Sequence, residues 1–573
     1  MMIQSDIYRN VFFSREVHKV LMRGSIISPE GDARSLVASL LRRLEAAELG
    51  LNEPPRSTAA VLSELEYLIG AGVCTLGSPL LTNVAFSHPT LSSCGAVSLP
   101  AGLFSSAHAD AAASYYRLNM GSGYNLNEAR DPVALLYQLN EHAMELTRTN
   151  RCERYIGNIA HLSVHHPRIR QFITAKLNRR DVVHFNISVD VSPSFMAAVE
   201  ADQEYSLMNG ASVSARLMWD ALVHSAWMCG DPGLICLDRY NADNAVAEQS
   251  PYVTTAPCAE VGLAAGETCV FGYINVAACL TESAGELHLD DELVERATRC
   301  LTRVLDDAVE ESVSGSPNAI TASVMRLTRK IGIGLCGYAD ALLLMGLDYG
   351  SDEGTAVLNR TLSLINHASK HSSMELAARR GSFGAFEASR YRTEPGFLTR
   401  TAQRATAPGM GAWQGLEREV ARWGLRNAMT TALPPSGRSS ILLGVNSSIE
   451  PYLTFAPSDH SPLLLRLLTQ RGMLVTRPGG SVLSARAPAE PHLPARWSLF
   501  RKASEITPTE HLAVLLEAAA LADDGVSKTV NLNQDASEAD VGEIYLRAWR
   551  GGLKAISVYR ELGLGASVPA RAA

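Results

Sequence analysis

Apolar positions recur three and four residues apart over residues 33–72, which predicts two amphipathic helices. Leu36, Leu40, Leu41 and Leu44 form one stripe, and Val61, Leu62, Leu65, Leu68 and Ile69 form another, with Pro54-Pro55 between them. From about residue 73 short apolar runs alternate with helical patterns. Residues 182–189 and 269–274 read as strands, while Leu293, Ala297, Leu301, Val304 and Ala308 line one side of a helix at about 290–310. This alternation predicts an α/β architecture behind a small helical region. Residues 395–415 and the proline-rich stretch 477–496 read as surface loops. Near the C-terminus, Thr507-Pro508-Thr509-Glu510 is a capping box with proline at the first helical position, and Ser537 and Asp540 cap a second helix. No repeat occurs at a solenoid or propeller period.

Composition narrows the class. Hydrophobic residues make up 46% and charged residues 19% of the 573 positions, enough for an ample core. A net charge of -8 with no basic block argues against a nucleic-acid partner. The first 24 residues are interrupted by Asp6, Arg9, Arg15, Glu16 and Lys19, so they lack the apolar core of a signal peptide. The apolar run 341–347 is too short to span a bilayer. A soluble protein made in the cytosol, without a membrane partner, is expected. Ten cysteines without one C-x-x-C pair argue against a zinc ribbon, a thioredoxin motif or a disulfide scaffold. Adjacent His165-His166 and the lack of H-E-x-x-H leave no metal site to expect.

Three motifs carry candidate chemistry. In Thr254-Thr255-Ala256-Pro257-Cys258-Ala259-Glu260-Val261, an extended backbone points residues two apart the same way, so Cys258 and Glu260 can face one pocket. A thiol beside a general base is one reading, and a buried small hydrophobe beside a solvated carboxylate is the other. Gly332-Ile333-Gly334-Leu335-Cys336-Gly337 spells G-x-G-x-x-G, but Arg326 to Lys330 stand where an apolar strand should precede it. Close packing where a helix at 338–347 starts explains these glycines better. Pro435-Ser436-Gly437-Arg438-Ser439-Ser440 precedes an apolar segment, and reads equally as an anion-binding helix start or as a plain capped turn.

Taken in order, several segments resemble the large subunit of class I ribonucleotide reductase. They are Ser78-Pro79-Leu80-Leu81-Thr82-Asn83 (the substrate-contacting turn), Leu91-Ser92-Ser93-Cys94 (the strand of the first redox cysteine), Gly230-Asp231-Pro232-Gly233-Leu234 and Pro257-Cys258-Ala259-Glu260. The stretch from Ile331, the turn at 435–440, Asn446-Ser447-Ser448-Ile449-Glu450-Pro451 and Gly552-Leu553-Lys554 complete the series. The resemblance covers roughly 73–562. It implies a ten-stranded α/β barrel of two five-stranded parallel halves, with a central finger loop holding Cys258. Residues 1–72 would be a helical region without an ATP cone, and 563–573 a short tail without redox cysteines. Cys258 would be the thiyl radical, Glu260 the general base, and Cys94 with Cys269 the reducing pair. Ser78, Ser93, Ser436, Arg438, Ser439 and Ser440 would hold the substrate and its diphosphate. The family draws on a radical from a small subunit and on an external thiol reductant, and no cofactor is expected on this chain itself.

The departures are specific. Ala256 stands where the family has an asparagine that hydrogen-bonds the sugar, a loss of roughly 10²–10³ in rate for one positioned polar group. Val558-Tyr559 replaces the tyrosine pair of the radical relay, leaving Tyr559 alone. No cysteine follows Cys336, so the tail cannot re-reduce a disulfide. The substrate-reading loop, Thr149-Asn150-Arg151-Cys152-Glu153-Arg154, lacks its glycine pair. This pattern resembles the degenerate homologues of betaherpesviruses, the cytomegalovirus group. The expectation is a viral component of host cytoplasm and virion tegument, without reductase turnover. It would act as a homodimer or through viral or host protein partners, with a small subunit doubtful. The alternative is a working ribonucleoside-diphosphate reductase.

Overall fold

The computed structural model describes residues 11–23, 26–27, 31–100, 102–149, 152–453, 497–561 and 563. The expected loop at 477–496 and nearly all of the tail lie outside them. In chain order the strands are β1 (Cys74–Leu76), β2 (Cys94–Ala96), β3 (Gly121–Asn125), β4 (Asn158–Ser163) and β5 (Phe185–Asp190). A small hairpin follows, β6 (Glu204–Ser206) and β7 (Ser212–Ser214), then β8 (Gly233–Ile235), β9 (Tyr252–Thr255), β10 (Gly262–Ala264) and β11 (Thr268–Asn275). A second hairpin, β12 (Leu280–Ser283) and β13 (Glu286–Leu289), precedes β14 (Ile331–Cys336), β15 (Thr529–Leu532) and β16 (Ala555–Arg560).

These strands close a barrel in two halves. β2, β3, β4, β5 and β8 run parallel in that order. In the other half β14 lies parallel to β11 and β15 parallel to β16. Residues 431–433 bridge the two pairs through parallel contacts of Thr431 with Ile333 and Leu433 with Val526. The halves meet antiparallel at both seams, β2 against β11 and β8 against β16. Parallel strands covered by helices are buried on both faces, which explains their near-continuous apolar spelling. β1 adds an antiparallel strand to the far end of β11.

The two N-terminal helices form as their stripes predict. Asp32 caps the first, Ala33–Gly50, with its carboxylate accepting the Ser35 N–H at 2.7 Å, and Pro55 starts the second, Pro55–Gly70. Their apolar faces join the core that surrounds the barrel. The helix expected at 290–310 is Asp291–Ser314, and the two C-terminal capping boxes open Pro508–Leu521 and Glu538–Arg550.

Three local readings change. Residues 395–415 are not one loop, because the helix Met410–Trp423 begins inside them and buries Trp413, Leu416 and Val420. The Gly-x-Gly stretch is itself a barrel strand, β14. A Cβ on Gly332 would stand 2.7 Å from the Phe271 ring, and one on Gly334 2.9 Å from the Ala432 carbonyl oxygen. The helix after it is Tyr338–Met345. Residues 78–83 form no turn but the start of the helix Ser78–Ala85.

Candidate active site

β9 and β10 pair antiparallel and carry the finger between them. Its tip is closed by backbone: the Ala256 N–H donates to the Val261 carbonyl at 2.8 Å, and the Ala259 N–H to the Ala256 carbonyl at 2.9 Å. Ala259 sits at φ +59, a left-handed conformation that tightens the turn. The finger enters the barrel because β3 presents glycines to it. A Cβ on Gly123 would collide with the Thr255 carbonyl oxygen, and one on Gly121 would stand 2.9 Å from Pro257 Cγ and 3.1 Å from Cys94 Sγ. Side chains of the first half grip the finger's carbonyls. Asn125 Nδ2 donates to Val253 at 2.7 Å and Asn186 Nδ2 to Pro257 at 3.0 Å, while the Tyr240 hydroxyl donates to Ala259. The buried His161 ring, held neutral by burial with its pKa down to about 3, meets the hydroxyls of Thr254 and Thr255 at 3.3 and 3.1 Å.

Cys258 has solvent-accessible surface, yet protein surrounds it, because that surface faces the cavity inside the barrel. Glu260 is 3% exposed, and its carboxylate accepts the Cys258 backbone N–H at 3.0 Å. Burial raises the Glu260 pKa to about 7, with the Asp524 charge adding to the rise against backbone hydrogen bonds that lower it. Burial, and then the Glu260 charge, push the Cys258 thiol up. Cys94 and Cys269 stand directly opposite in the β2–β11 register. Opposed antiparallel residues have Cα atoms about 4.5–5.5 Å apart, within the disulfide range. Burial raises both thiols, with the Glu260 charge as the next contribution.

Three of the predicted serines, Ser78, Ser436 and Ser439, are tied together around the turn at 435–440. Ser439 Oγ accepts the Ser78 N–H at 2.9 Å and donates to the Leu76 carbonyl at 3.2 Å, which ties the turn to the helix start at Ser78. Ser436 Oγ accepts the Ser448 N–H at 2.8 Å and donates to Ser447 Oγ at 3.2 Å. Ser440 turns inward to the Gly437 carbonyl at 2.7 Å and so is occupied in its own helix. Ser93 Oγ is buried without a hydrogen-bond partner. Sequence reasoning singled out Arg438 but missed the use of Arg154, which it treated only as part of a loop without glycine. Arg154 is half-buried, and desolvation followed by the Arg438 charge lowers its pKa to about 10. Two cationic groups this close, beside Cys94 and Tyr273, suit an anion.

Ala256 is fully buried and works through its backbone, so the missing asparagine leaves the Cys258–Glu260 geometry in place. On β16 Val558 is 3% exposed, while Tyr559 shares a cavity of about 410 Å³ with Cys258, Lys176, Asp231 and Ser527. Lys176 and Asp231 pair across it at 2.7 Å.

A closed barrel of two parallel halves around a thiol–carboxylate finger defines the class of the fold. Residues 123–559 match the family described as ribonucleotide reductase, barrel domain, and the chain belongs to the ribonucleotide reductase large-subunit family. It is 30% identical over 540 residues to the vitamin B12-dependent ribonucleoside-diphosphate reductase of Mycobacterium tuberculosis, covering 88% of this chain and 71% of that one. It is also 30% identical over 428 residues to the protein of the same name from Thermoplasma acidophilum, covering 71% of this chain and 51% of that one. The class Id ribonucleotide reductase alpha subunit of Actinobacillus ureae shares the fold, with a TM-score of 0.71 at 17% identity over 97% of this chain and 99% of that one.

These relatives overturn two expectations. A viral component without reductase turnover does not fit a chain whose 30%-identical relatives are a bacterial and an archaeal protein named as reductases. The expectation of lost activity rests on Ala256, Val558 and the absence of a cysteine after Cys336; of these, Val558 counts against turnover only in a reductase fed by a small subunit, whereas these relatives are named for dependence on vitamin B12. The expectation that this chain binds no cofactor falls on the same names.

Proposed function

We propose that the chain is a vitamin B12-dependent ribonucleoside-diphosphate reductase. The observation that carries the reading is the Cys258–Glu260 pair, held in one barrel with the opposed Cys94 and Cys269. The fit of a cofactor rests on the cavity that opens onto Cys258. Its wall of small groups at Gly230, Gly233, Ala259, Ser527 and Ala555, with Lys176, Asp231 and Tyr559 among its polar groups, suits a nucleoside-sized part of such a molecule. When bound, the cofactor supplies the one-electron chemistry that makes a thiyl radical.

The chain's own residues would then act in sequence. Cys258 Sγ takes the ribose 3′ hydrogen atom, and Glu260 accepts the 3′ hydroxyl proton. The 2′ hydroxyl departs as water, with Cys94 and Cys269 supplying two electrons and two hydrogens and ending as one disulfide. The carbon at 2′ gains hydrogen, the 3′ oxygen regains its proton from Glu260, the 3′ hydrogen returns from Cys258, and an external dithiol restores the pair. Ser436, Ser439 and the cations Arg438 and Arg154 would hold the diphosphate, with Ser78 and Ser93 beside it. A cofactor beside Cys258 removes the need for a tyrosine relay, so Val558 costs nothing and Tyr559 serves as cavity wall.

The test uses the full chain with cytidine diphosphate, adenosylcobalamin and dithiothreitol. Deoxycytidine diphosphate should form, and should vanish when cobalamin is left out or Cys258 is replaced by alanine. Formation at the same rate without cobalamin, or none with it, would defeat the reading.

A further inference from the structure

A segment distant in sequence from the finger touches it at every chemically important point. Residues 524–527, Asp-Gly-Val-Ser, lead into β15 and help close the barrel through the Val526–Leu433 bridge. Asp524 Oδ1 accepts the Gly262 N–H at 2.9 Å, at the first residue of β10. The carbonyl of the same glycine accepts Lys330 Nζ at 2.7 Å, and that ammonium is paired with Glu267 at 2.9 Å. Gly262 is therefore pinned on both sides of its backbone.

One residue on, Gly525 lies flat against the tip. A Cβ there would collide with the Ala259 carbonyl oxygen and stand 2.9 Å from the Glu260 carbonyl carbon and 2.8 Å from the Tyr240 hydroxyl. Gly525 and Ser527 are themselves fixed, because Leu433 donates to the Gly525 carbonyl at 3.1 Å and accepts the Ser527 N–H at 2.9 Å. Val526 and Ser527 line the same cavity as Cys258, so the Ser527 side chain and the thiol border one space, and Ser527 pulls the thiol pKa down against the larger upward push of burial and of the Glu260 charge.

We propose that residues 524–527 are the positioning element of the finger: Asp524 with Lys330 sets its depth, Gly525 its approach, and the Ser527 hydroxyl the orientation and reactivity of the Cys258 thiol. None of the four is among the residues proposed to hold the substrate, so they are positioning residues and act through Cys258 and Glu260. The inference deepens the reductase reading and rests on it for its meaning, although its geometry does not depend on turnover.

The test reads Cys258 itself. The full chain is alkylated with iodoacetamide at one fixed pH, and the labelling rate of the Cys258 peptide is followed by mass spectrometry, with Cys152 and Cys229 as internal references. A hydroxyl hydrogen bond to a thiolate is worth about fivefold in the ionised fraction, so Ser527→Ala should slow Cys258 labelling by about that factor. Ser527→Thr, which keeps the hydroxyl, should restore it. Glu260→Gln should accelerate labelling, because the charge that raises the thiol is gone. Gly525→Ala should change the Cys258 rate at least as much as Ser527→Ala while leaving the references alone. Labelling of Cys258 at the wild-type rate in Ser527→Ala, or a loss in Ser527→Thr equal to that in Ser527→Ala, would overturn the proposal. Because no turnover is measured, a chain that reduces no nucleotide but shows these shifts keeps the positioning element and loses only the reductase reading.

Discussion

Two buried glutamates in this chain live opposite lives. Glu260 has backbone N–H groups for partners and no cation among the causes that set its pKa, which burial lifts to about 7. Glu48 is buried as deeply between helices, yet Arg303 and Arg380 both reach it, Arg380 at 2.6 Å. Burial pushes Glu48 upward, but the hydrogen bond from Arg303 and the charge of Arg380 outweigh it and bring the pKa down to about 2. Around Glu48 the same guanidinium of Arg380 also binds Glu53 at 2.7 Å, Asp307 at 2.7 Å and Asp306 at 3.0 Å. Arg329 and Arg426 complete the pairing of Asp306 at 2.8 and 3.2 Å. The difference shows how one residue type is made either a fixed charge or a titrating group: supply a cation and it locks, withhold one and it stays ready to take a proton.

Replacing each partner set should break the contrast in opposite ways. Glu260→Gln should cut deoxynucleotide formation by about 10²–10⁴, while its urea midpoint at pH 8 stays level or rises, because a buried unpaired charge has been removed. Arg380→Ala should do the reverse locally: four carboxylates lose their shared cation, and chemical denaturation should register a loss of about 3–5 kcal/mol. Wild-type stability at pH 8 in that variant would mean the network is not held in the charged form. The pH dependence follows from the same two groups. Glu48, lowered from 4.5 to about 2, contributes stability that is full above pH 4.5 and is lost as pH falls toward 2. Glu260, raised from 4.5 to about 7, opposes folding increasingly as pH rises from 4.5 through 7, and its activity as a base should appear over an acid limb near pH 7. Unfolding midpoints across pH 2–8 in wild type, Glu48→Gln and Glu260→Gln separate the two contributions. The smallest effect expected is that of Val558→Tyr. Rebuilding the tyrosine pair should not raise cobalamin-dependent turnover, while the larger ring at the buried Val558 site costs about 1–3 kcal/mol in stability, and a large gain in turnover would reinstate a relay.

What the sequence made legible followed local rules. Cys258 and Glu260 were singled out by the two-residue period of extended backbone, but the finger turns there, with Ala259 at φ +59, and the turn is what brings the carboxylate to the Cys258 N–H. The helices at 508 and 538 were legible in their caps, and the helix at 33 in its apolar stripe. The order of motifs along the chain placed Cys94 and Cys269, which the register then set face to face. What stayed hidden depends on residues far apart in the chain. Glu48 and Arg380 are separated by 332 positions, and nothing in either neighbourhood announces the other. Arg154 gains meaning only when the turn carrying Arg438 is folded against it. Residues 431–433 bridge the sheet through isolated contacts and carry too little alternation to read as a strand. The helix Met410–Trp423 was obscured by Pro408 and Gly409 just before it and by Gly411 and Gly415 within it. The loss of function was misjudged at Val558, because a tyrosine relay was assumed for a chain whose 30%-identical relatives are named as vitamin B12-dependent reductases.

The order in which the ribosome delivers this chain suits a finger lodged inside a closed wall. The first half-barrel, 94–235, emerges before the finger at 252–264, so the finger has a prepared trough with its glycine gap on β3 already formed. The strands that seal it, β15 and β16, come last, with β16 returning to β8 across more than half the chain. Pairings of such span are slow to form, and the delay leaves the trough open while the finger settles. A chain cut short before residue 529 would keep the trough and the finger but lack the closing wall, and nascent copies stalled there are the ones most in need of a chaperone.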